Sequence, residues 1–215
     1  MKTLFLNIGI LAGMLALTGC VTNKPYDYTN FRAHPPRSIL VLPPINQSTD
    51  VRGTYSYLST VTRPLAEMGY YVFPVTEVDA LMKENGLPTA GEMRGVSLDK
   101  IGEIIGADSV LYVTLKKYGS KYEIITSVTT VAADAKLVDV KTGLTLWEGS
   151  TIVQQSSGDS GGSIIGALIT AAVTQIVNSA TDPAHDASSM ANFQLFTPKD
   201  HGLLYGPYFP ENRKK

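Results

Sequence analysis

Leu137-Val-Asp-Val-Lys-Thr-Gly-Leu-Thr-Leu-Trp147 carries a turn between two strand-like runs, and its reading sets the class of the fold. Upstream of it, Tyr122 to Val140 is rich in Thr, Val and Ile, with no turn signal before Lys141-Thr142-Gly143. Downstream, Leu144 to Gln155 runs back, with Leu144, Leu146 and Trp147 available for packing. Two such runs joined by a short glycine-bearing segment predict a long antiparallel hairpin.

Working towards the amino terminus, Gly106-Ala-Asp108 leads into a strand over Ser109-Val-Leu-Tyr-Val-Thr-Leu115. Three helices are predicted before it. The last covers Leu98 to Ile105, with Leu98, Ile101, Ile104 and Ile105 facing inward. The middle one starts at a Thr76 cap, buries Val78, Leu81 and Met82, and stops at Asn85-Gly86. The first runs from Val51 to Met68, with Tyr55, Leu58, Val61, Leu65 and Met68 at helical spacing and Pro64 able to kink or end it. Ser38-Ile-Leu-Val-Leu-Pro-Pro44 and Tyr70-Tyr-Val-Phe-Pro74 are short apolar runs ended by proline, which suits buried strands. Helices first and meandering strands later predict an α/β sandwich on a mixed sheet, with C-terminal helices after the hairpin.

Beyond the hairpin, Ser156 to Gly162 is a Ser/Gly loop, and no charge occurs from Ser160 to Thr181. A helix over Ser163 to Val177 would carry Gly166, Thr170 and Thr174 in a small-residue stripe that permits close approach of another helix. Three uses are open to it: packing on the sheet, self-association through the stripe, or lying against a membrane. Thr170, Thr174, Gln175 and Asn178 make a poor lipid-facing surface. Asp182-Pro183 reads as an N-cap with proline at N1, opening a last helix to about Leu195. The segment Thr197 to Lys215 is expected to drape over the body or to be loose.

The chain carries 18 basic and 19 acidic residues, so no positive field exists to draw phosphate backbones, and nucleic acid is not an expected partner. The three histidines, His34, His185 and His201, are scattered, and no zinc-type spacing occurs. Asp182, His185 and Asp186 lie within one turn, where capping and solvation explain them without a metal. Gly158-Asp-Ser160-Gly-Gly162 matches the nucleophile segment of chymotrypsin-like proteases. That chemistry needs an upstream histidine and a buried carboxylate. Only His34 precedes Ser160, in a proline-rich stretch, and an Ala-rich segment follows. A phosphate loop would need a lysine, and none occurs between Lys141 and Lys199. No catalytic residue, metal or cofactor is expected.

At the amino terminus, Lys2 is the only charge before Cys20, and Leu4 to Leu17 is mostly apolar. A positive n-region, a short apolar core and a small-residue cut site make a secretory signal. About 14 apolar residues fall short of the roughly 20 that span a bilayer. Leu17-Thr18-Gly19-Cys20 resembles a bacterial lipobox, which implies removal of residues 1–19 and acylation of Cys20. Val21 stands where an aspartate would resemble an inner-membrane retention signal, so the outer membrane, on its periplasmic side, is the expected site. Residues 20–37 are read as lipidated cysteine and flexible tether. Its 17 residues after Cys20 could reach roughly 55 Å.

Leu40-Val-Leu-Pro-Pro-Ile-Asn46, Pro64-Leu-Ala-Glu-Met-Gly-Tyr-Tyr-Val-Phe-Pro74, Gly106-Ala-Asp-Ser-Val-Leu111 and Leu137 to Trp147 together resemble the genome-derived neisserial antigen family of outer-membrane lipoproteins. More distantly, the chain is similar to the curli-secretion lipoprotein, the Pel-polysaccharide lipoprotein and the amino-terminal domain of TolB. The resemblance covers roughly residues 17–180 and implies an α/β sandwich, and the residues themselves set one α/β domain over 38–196 and an irregular tail over 197–215. It also implies a non-catalytic, oligomeric scaffold or adaptor in envelope transport, secretion or surface assembly, with other envelope lipoproteins or secretion components as partners. The competing expectations are a subunit of an outer-membrane secretion pore and an envelope hydrolase. Along the run from Tyr122, Asp134 and Lys136 interrupt what would be the lipid face of a barrel strand.

Overall fold

The structure, a computed structural model, describes residues 25–123, 126–156 and 182–212. Cys20, the Ser160 loop and the Gly166/Thr170/Thr174 stripe lie outside the described residues.

The elements run α1 (Thr29–Ala33), β1 (Ser38–Val41), β2 (Ile45–Asn46), α2 (Gly53–Glu67), β3 (Tyr71–Val72) and α3 (Val75–Glu84). They continue with α4 (Ala90–Arg94), α5 (Leu98–Ile104), β4 (Ser109–Glu123), β5 (Thr126–Asp139), β6 (Thr145–Ser156) and α6 (Pro183–Phe196). A six-stranded mixed sheet has β4 at its centre, in the order β3-β1-β4-β5-β6. Strands β1 and β2 both lie parallel to β4, Val41 opposite Leu111 and Ile45 opposite Thr114. Pro43 and Pro44 lack the N–H that a ladder needs, which splits one line of chain into two strands. From β4 onward the sheet is an antiparallel meander.

Alternation along the central strands separates two apolar layers. Ile39, Val41, Leu111, Val113 and Leu115 pack with Tyr57, Leu58, Val61 and Leu65 of α2 and with Ala187, Ala191, Leu195 and Phe196 of α6. On the opposite face Leu40, Leu42, Val110 and Val140 meet Val78 and Met82 of α3, Met93 of α4 and Ile101 of α5. The mixed-sheet α/β sandwich is therefore the observed architecture.

Several expectations are corrected in detail. Tyr122 and Glu123 end β4, and Glu123 pairs with Thr126, so the meander has an extra reversal inside the stretch read as one strand. Tyr57, rather than Tyr55, joins the buried stripe of α2; Tyr55 is exposed and donates to Asp79 Oδ1 at 3.2 Å. Pro64 sits inside α2 without ending it. Helix α3 starts after Pro74 rather than at Thr76, and its Leu81 is partly exposed. Helix α5 is seven residues long and buries Ile101, leaving Ile104 67% exposed, because so short a helix meets the sheet over about one turn. Leu144 lies exposed in the β5–β6 turn, whereas Leu146 and Trp147 are buried. Helix α4, unpredicted, opens on a Thr89/Glu92 capping box.

The largest correction concerns the tether. Phe31 is buried, and Tyr26 and Tyr28 pack against the core, so the folded body takes in Tyr26 to Arg37 rather than starting at Ser38. The Tyr26 hydroxyl accepts from Glu148 N at 2.7 Å, Asn30 Nδ2 donates to Thr145 O at 3.1 Å, and the Tyr28 hydroxyl donates to Gly202 O. This segment covers β6's outer edge at Thr145 and Glu148, which would otherwise present unpaired backbone groups. The tail drapes, as one of the two expectations had it. Leu203 is buried, Gly206 N donates to Met68 O at 2.8 Å, and Tyr208 N donates to Gly69 O at 3.0 Å.

Two buried phenols give the fold an alkaline limit. Tyr57 is fully enclosed, and Tyr70 donates to Leu204 O; burial pushes both far above the ordinary tyrosine value of 10.0. A folded-state pKa raised in this way stabilises fully below the unfolded value and is lost as pH rises past it. Tyrosinate absorbance should therefore show exposed tyrosines titrating near pH 10, while Tyr57 and Tyr70 ionise only together with unfolding. A single class of tyrosines titrating while the domain stays folded would contradict this.

Candidate functional site

Helices α3–α5 cover only one end of their face of the sheet. Past Tyr112, strands β4, β5 and β6 continue with no further described helix on that face, and the residues on it change from apolar to polar. Inward positions of β5 remain apolar, with Val131, Ala133, Ala135 and Leu137 buried. The alternate outward positions bring Thr114, Asp134 and Ser150 into one row, and Tyr112, Lys136 and Glu148 into the next.

These rows are joined by cross-strand pairs. Lys116 Nζ lies 3.4 Å from the Asp134 carboxylate, and Lys136 Nζ lies 3.2 Å from that of Glu148. Ser150 Oγ donates to Asp134 Oδ1 at 2.8 Å. Arg94, at the end of α4, lays its guanidinium 5.2 Å from the Tyr112 ring centre and donates from Nη1 to Thr114 Oγ1 at 3.1 Å. With Tyr26 and His201 these residues, Lys116 excepted, line an open groove of about 680 Å³. Burial raises the Tyr112 phenol, and the Arg94 charge opposes the shift. Burial also raises that of Tyr26, against the hydrogen bond from Glu148 N.

A register shift between Leu115 and Lys117 interrupts the alternation. The extra residue lets Lys116 and Lys117 both stay exposed while Tyr118 returns to the core. The Tyr118 hydroxyl donates to Ser56 Oγ at 2.6 Å, and Ser56 Oγ lies 3.2 Å from His185 Nδ1. Further along the open face, Ile152 is 53% exposed beside Ala132, its partner on β5.

Chemically this surface offers paired charges and hydroxyls rather than a reactive group set. Its ion pairs are roughly half exposed, so each contributes little to stability and can exchange its partner for an incoming group. The residues singled out earlier are kept apart. Asp182 Oδ1 accepts from Ala184 N and His185 N, capping α6, while the His201 carbonyl accepts from Trp147 Nε1 at 2.9 Å. His34 follows α1. Among the described residues, no group of His, Cys, Asp or Glu has the geometry to hold a metal. Also among them, no helix is long and apolar enough to cross a membrane. Arg94, Glu148 and Ser150 were not singled out from the sequence, and Asp134 and Lys136 only as charges that argue against a barrel strand. The signal that could have found them is the matched Asp134-x-Lys136 and Glu148-x-Ser150 spacing on either side of the predicted turn.

Comparison with known proteins settles the family. The model described as "Putative lipoprotein GNA1162-like" matches residues 26–208. The chain belongs to this lipoprotein family. It is 44% identical over 218 residues, covering all of both chains, to the Neisseria meningitidis serogroup B lipoprotein NMB1124/NMB1162. The crystal structure of lipoprotein GNA1162 from Neisseria meningitidis is 46% identical, with a TM-score of 0.55, over 59% of this chain and 88% of that one. The PelC dodecamer from Paraburkholderia phytofirmans matches at 10% identity and a TM-score of 0.47, over 80% of this chain and 91% of that one.

Proposed function

We propose that the protein is acylated at Cys20, is held at the periplasmic face of the outer membrane, and works as a non-catalytic adaptor. In this reading it self-associates and docks other envelope proteins on the open face of β4–β6. The observation that carries the reading is that no described helix covers the outer half of one sheet face, which is furnished with exchangeable cross-strand pairs. The outer edge of β6 adds to it. Tyr26 and Asn30 cover that edge near Thr145 and Glu148, and among the described residues no strand pairs with it beyond. A free edge beside an uncovered face suits the addition of a strand from another chain. The lipobox and membership of a lipoprotein family support the anchor.

The test is a photo-crosslinker placed at Ile152 of the acylated protein in its own membranes. The expected result is a crosslink to a second copy or to an envelope protein, lost when Lys117→Glu and Lys136→Glu are combined. A strict monomer by light scattering, with no crosslinked species from Ile152, would sink the adaptor reading.

A further inference from the structure

The outer edge of β6 is guarded at one end and bare at the other. Glu148 N–H points to that edge, since it donates to the Tyr26 hydroxyl rather than to β5. Main-chain direction alternates along a strand. Ser150, Ile152 and Gln154 therefore also turn their N–H and C=O groups to the edge, while Gly149, Thr151 and Val153 bond to β5. The segment Tyr26 to Asn30 covers the edge at Thr145 and Glu148. From Ser150 onward, no strand of the described residues pairs with it.

The bare stretch lacks the usual protection. Sheets that must stay single guard an edge with lysine, proline or a bulge. Gly149-Ser-Thr-Ile-Val-Gln-Gln-Ser156 contains no charge and no proline, and it pairs with β5 without a register shift. Ile152, at its middle, is 53% exposed. Charge stops at Glu148, whose carboxylate meets Lys136.

The stretch is also complementary to itself. Two copies of β6 running antiparallel about a two-fold axis at Ile152 set Ser150 opposite Gln154 and Ile152 opposite its own counterpart. Each of these residues presents its main-chain groups to the edge, so every such pair exchanges two N–H to O=C bonds. The side chains of the same residues share the open face, where the two isoleucines meet. No like charges are brought together. The register is set from both sides. Moved one residue towards the start of β6, the axis would set Gln154 against Glu148, whose N–H the Tyr26 hydroxyl already holds. Moved the other way, it would set Ile152 against Gln154 and leave both isoleucines exposed.

We propose that the bare edge of β6 is taken by a second copy of this chain, through antiparallel β6–β6 pairing centred on Ile152. This names the partner in the self-association put forward above, and it rests on that reading. Such an interface is isologous and closes at two copies. It joins two six-stranded sheets into one and turns both open β4–β6 faces to the same side.

Cysteine crosslinking of the acylated full chain in its own membranes tests the register. The chain's one cysteine, Cys20, carries the lipid in this reading, so an introduced thiol stands alone. Ile152→Cys should give a disulfide-linked homodimer on oxidation with copper phenanthroline, because opposed Cα atoms in such a pair lie about 5.5 Å apart. Ser150→Cys alone should give none, since the two thiols would be offset by roughly 13 Å along the strands. Ser150→Cys expressed together with Gln154→Cys should restore the crosslink. Ile152→Lys sets two ammonium groups side by side at the axis and should weaken the dimer about ten-fold or more by light scattering. Its circular dichroism should be unchanged, because the Ile152 side chain and N–H both point away from the monomer's own bonds. Ser150→Cys crosslinking as well as Ile152→Cys, or Ile152→Lys dimerising as tightly as the unsubstituted chain, overturns the pairing. Photo-crosslinks from Ile152 to other envelope proteins, with no homodimer from Ile152→Cys, overturn the pairing and leave the adaptor reading standing. Absence of both overturns both.

Discussion

Gly69→Ala is expected to lower the unfolding free energy by about 3 kcal/mol and to free the C-terminal tail. Two effects add. Gly69 has φ +87°, a region that costs an L-residue roughly 1–2 kcal/mol. The new Cβ would also fall 2.1 Å from Phe209 N and 2.6 Å from its Cα, which are main-chain atoms with no rotamer to yield. Relief requires the tail to lift, breaking the bonds from Gly206 N to Met68 O and from Tyr208 N to Gly69 O. Gly86→Ala separates the two effects. Gly86 has φ +80° with nothing within 4 Å of the added carbon, so it should lose only the conformational part. Urea unfolding gives the energies, and limited proteolysis after Thr197 reports release of the tail. Equal losses for the two variants, with the tail still protected in Gly69→Ala, would show that the contact with Phe209 is immaterial.

Trp147→Ala should cost about 3–5 kcal/mol, the range for deleting a large buried aromatic. Trp147 is fully enclosed, with its ring 5.7 Å from that of Phe196 at the end of α6. Its indole N–H donates to the His201 carbonyl, so one side chain ties β6, α6 and the tail together. Trp147→Phe keeps an aromatic against Phe196 but leaves the His201 carbonyl without its donor. It should lose less, roughly 1–3 kcal/mol. As the chain has no other tryptophan, circular dichroism rather than fluorescence must follow the unfolding. If Trp147→Ala lost under 1 kcal/mol, the junction would not hold the way its contacts indicate.

The elements that were legible in the sequence are those whose signal is local. The continuous apolar run from Ile39 to Leu42, the Lys141-Thr-Gly143 turn and the Asp182-Pro183 helix start all bury or cap by short-range rules, and the structure has each of them. The Glu123–Thr126 reversal was not legible because Ile124 and Ile125 stand where Gly, Asn or Pro would ordinarily mark a turn. Residues 25–37 misled for the opposite reason. Their prolines and polar residues resemble a linker, and nothing local shows that Tyr26, Tyr28 and Phe31 have partners more than a hundred positions away. The open face fails to announce itself in the same way. Asp134 and Lys136 look like ordinary surface charges until the register sets them against Ser150 and Glu148.

The amino-terminal strap also bears on the order in which the molecule folds. Tyr26 waits for Glu148, 122 positions on, and Tyr28 for Gly202, 174 positions on. Closing loops of that length comes late, after the β4–β5–β6 meander has formed from neighbouring stretches of chain. Residues 26–30 are therefore among the first of the described chain and the last to find their place. Weakening the strap should leave the refolding rate nearly unchanged and quicken unfolding. Tyr26 to Asn30 thus close over the edge of β6 only after the strand they cover has formed.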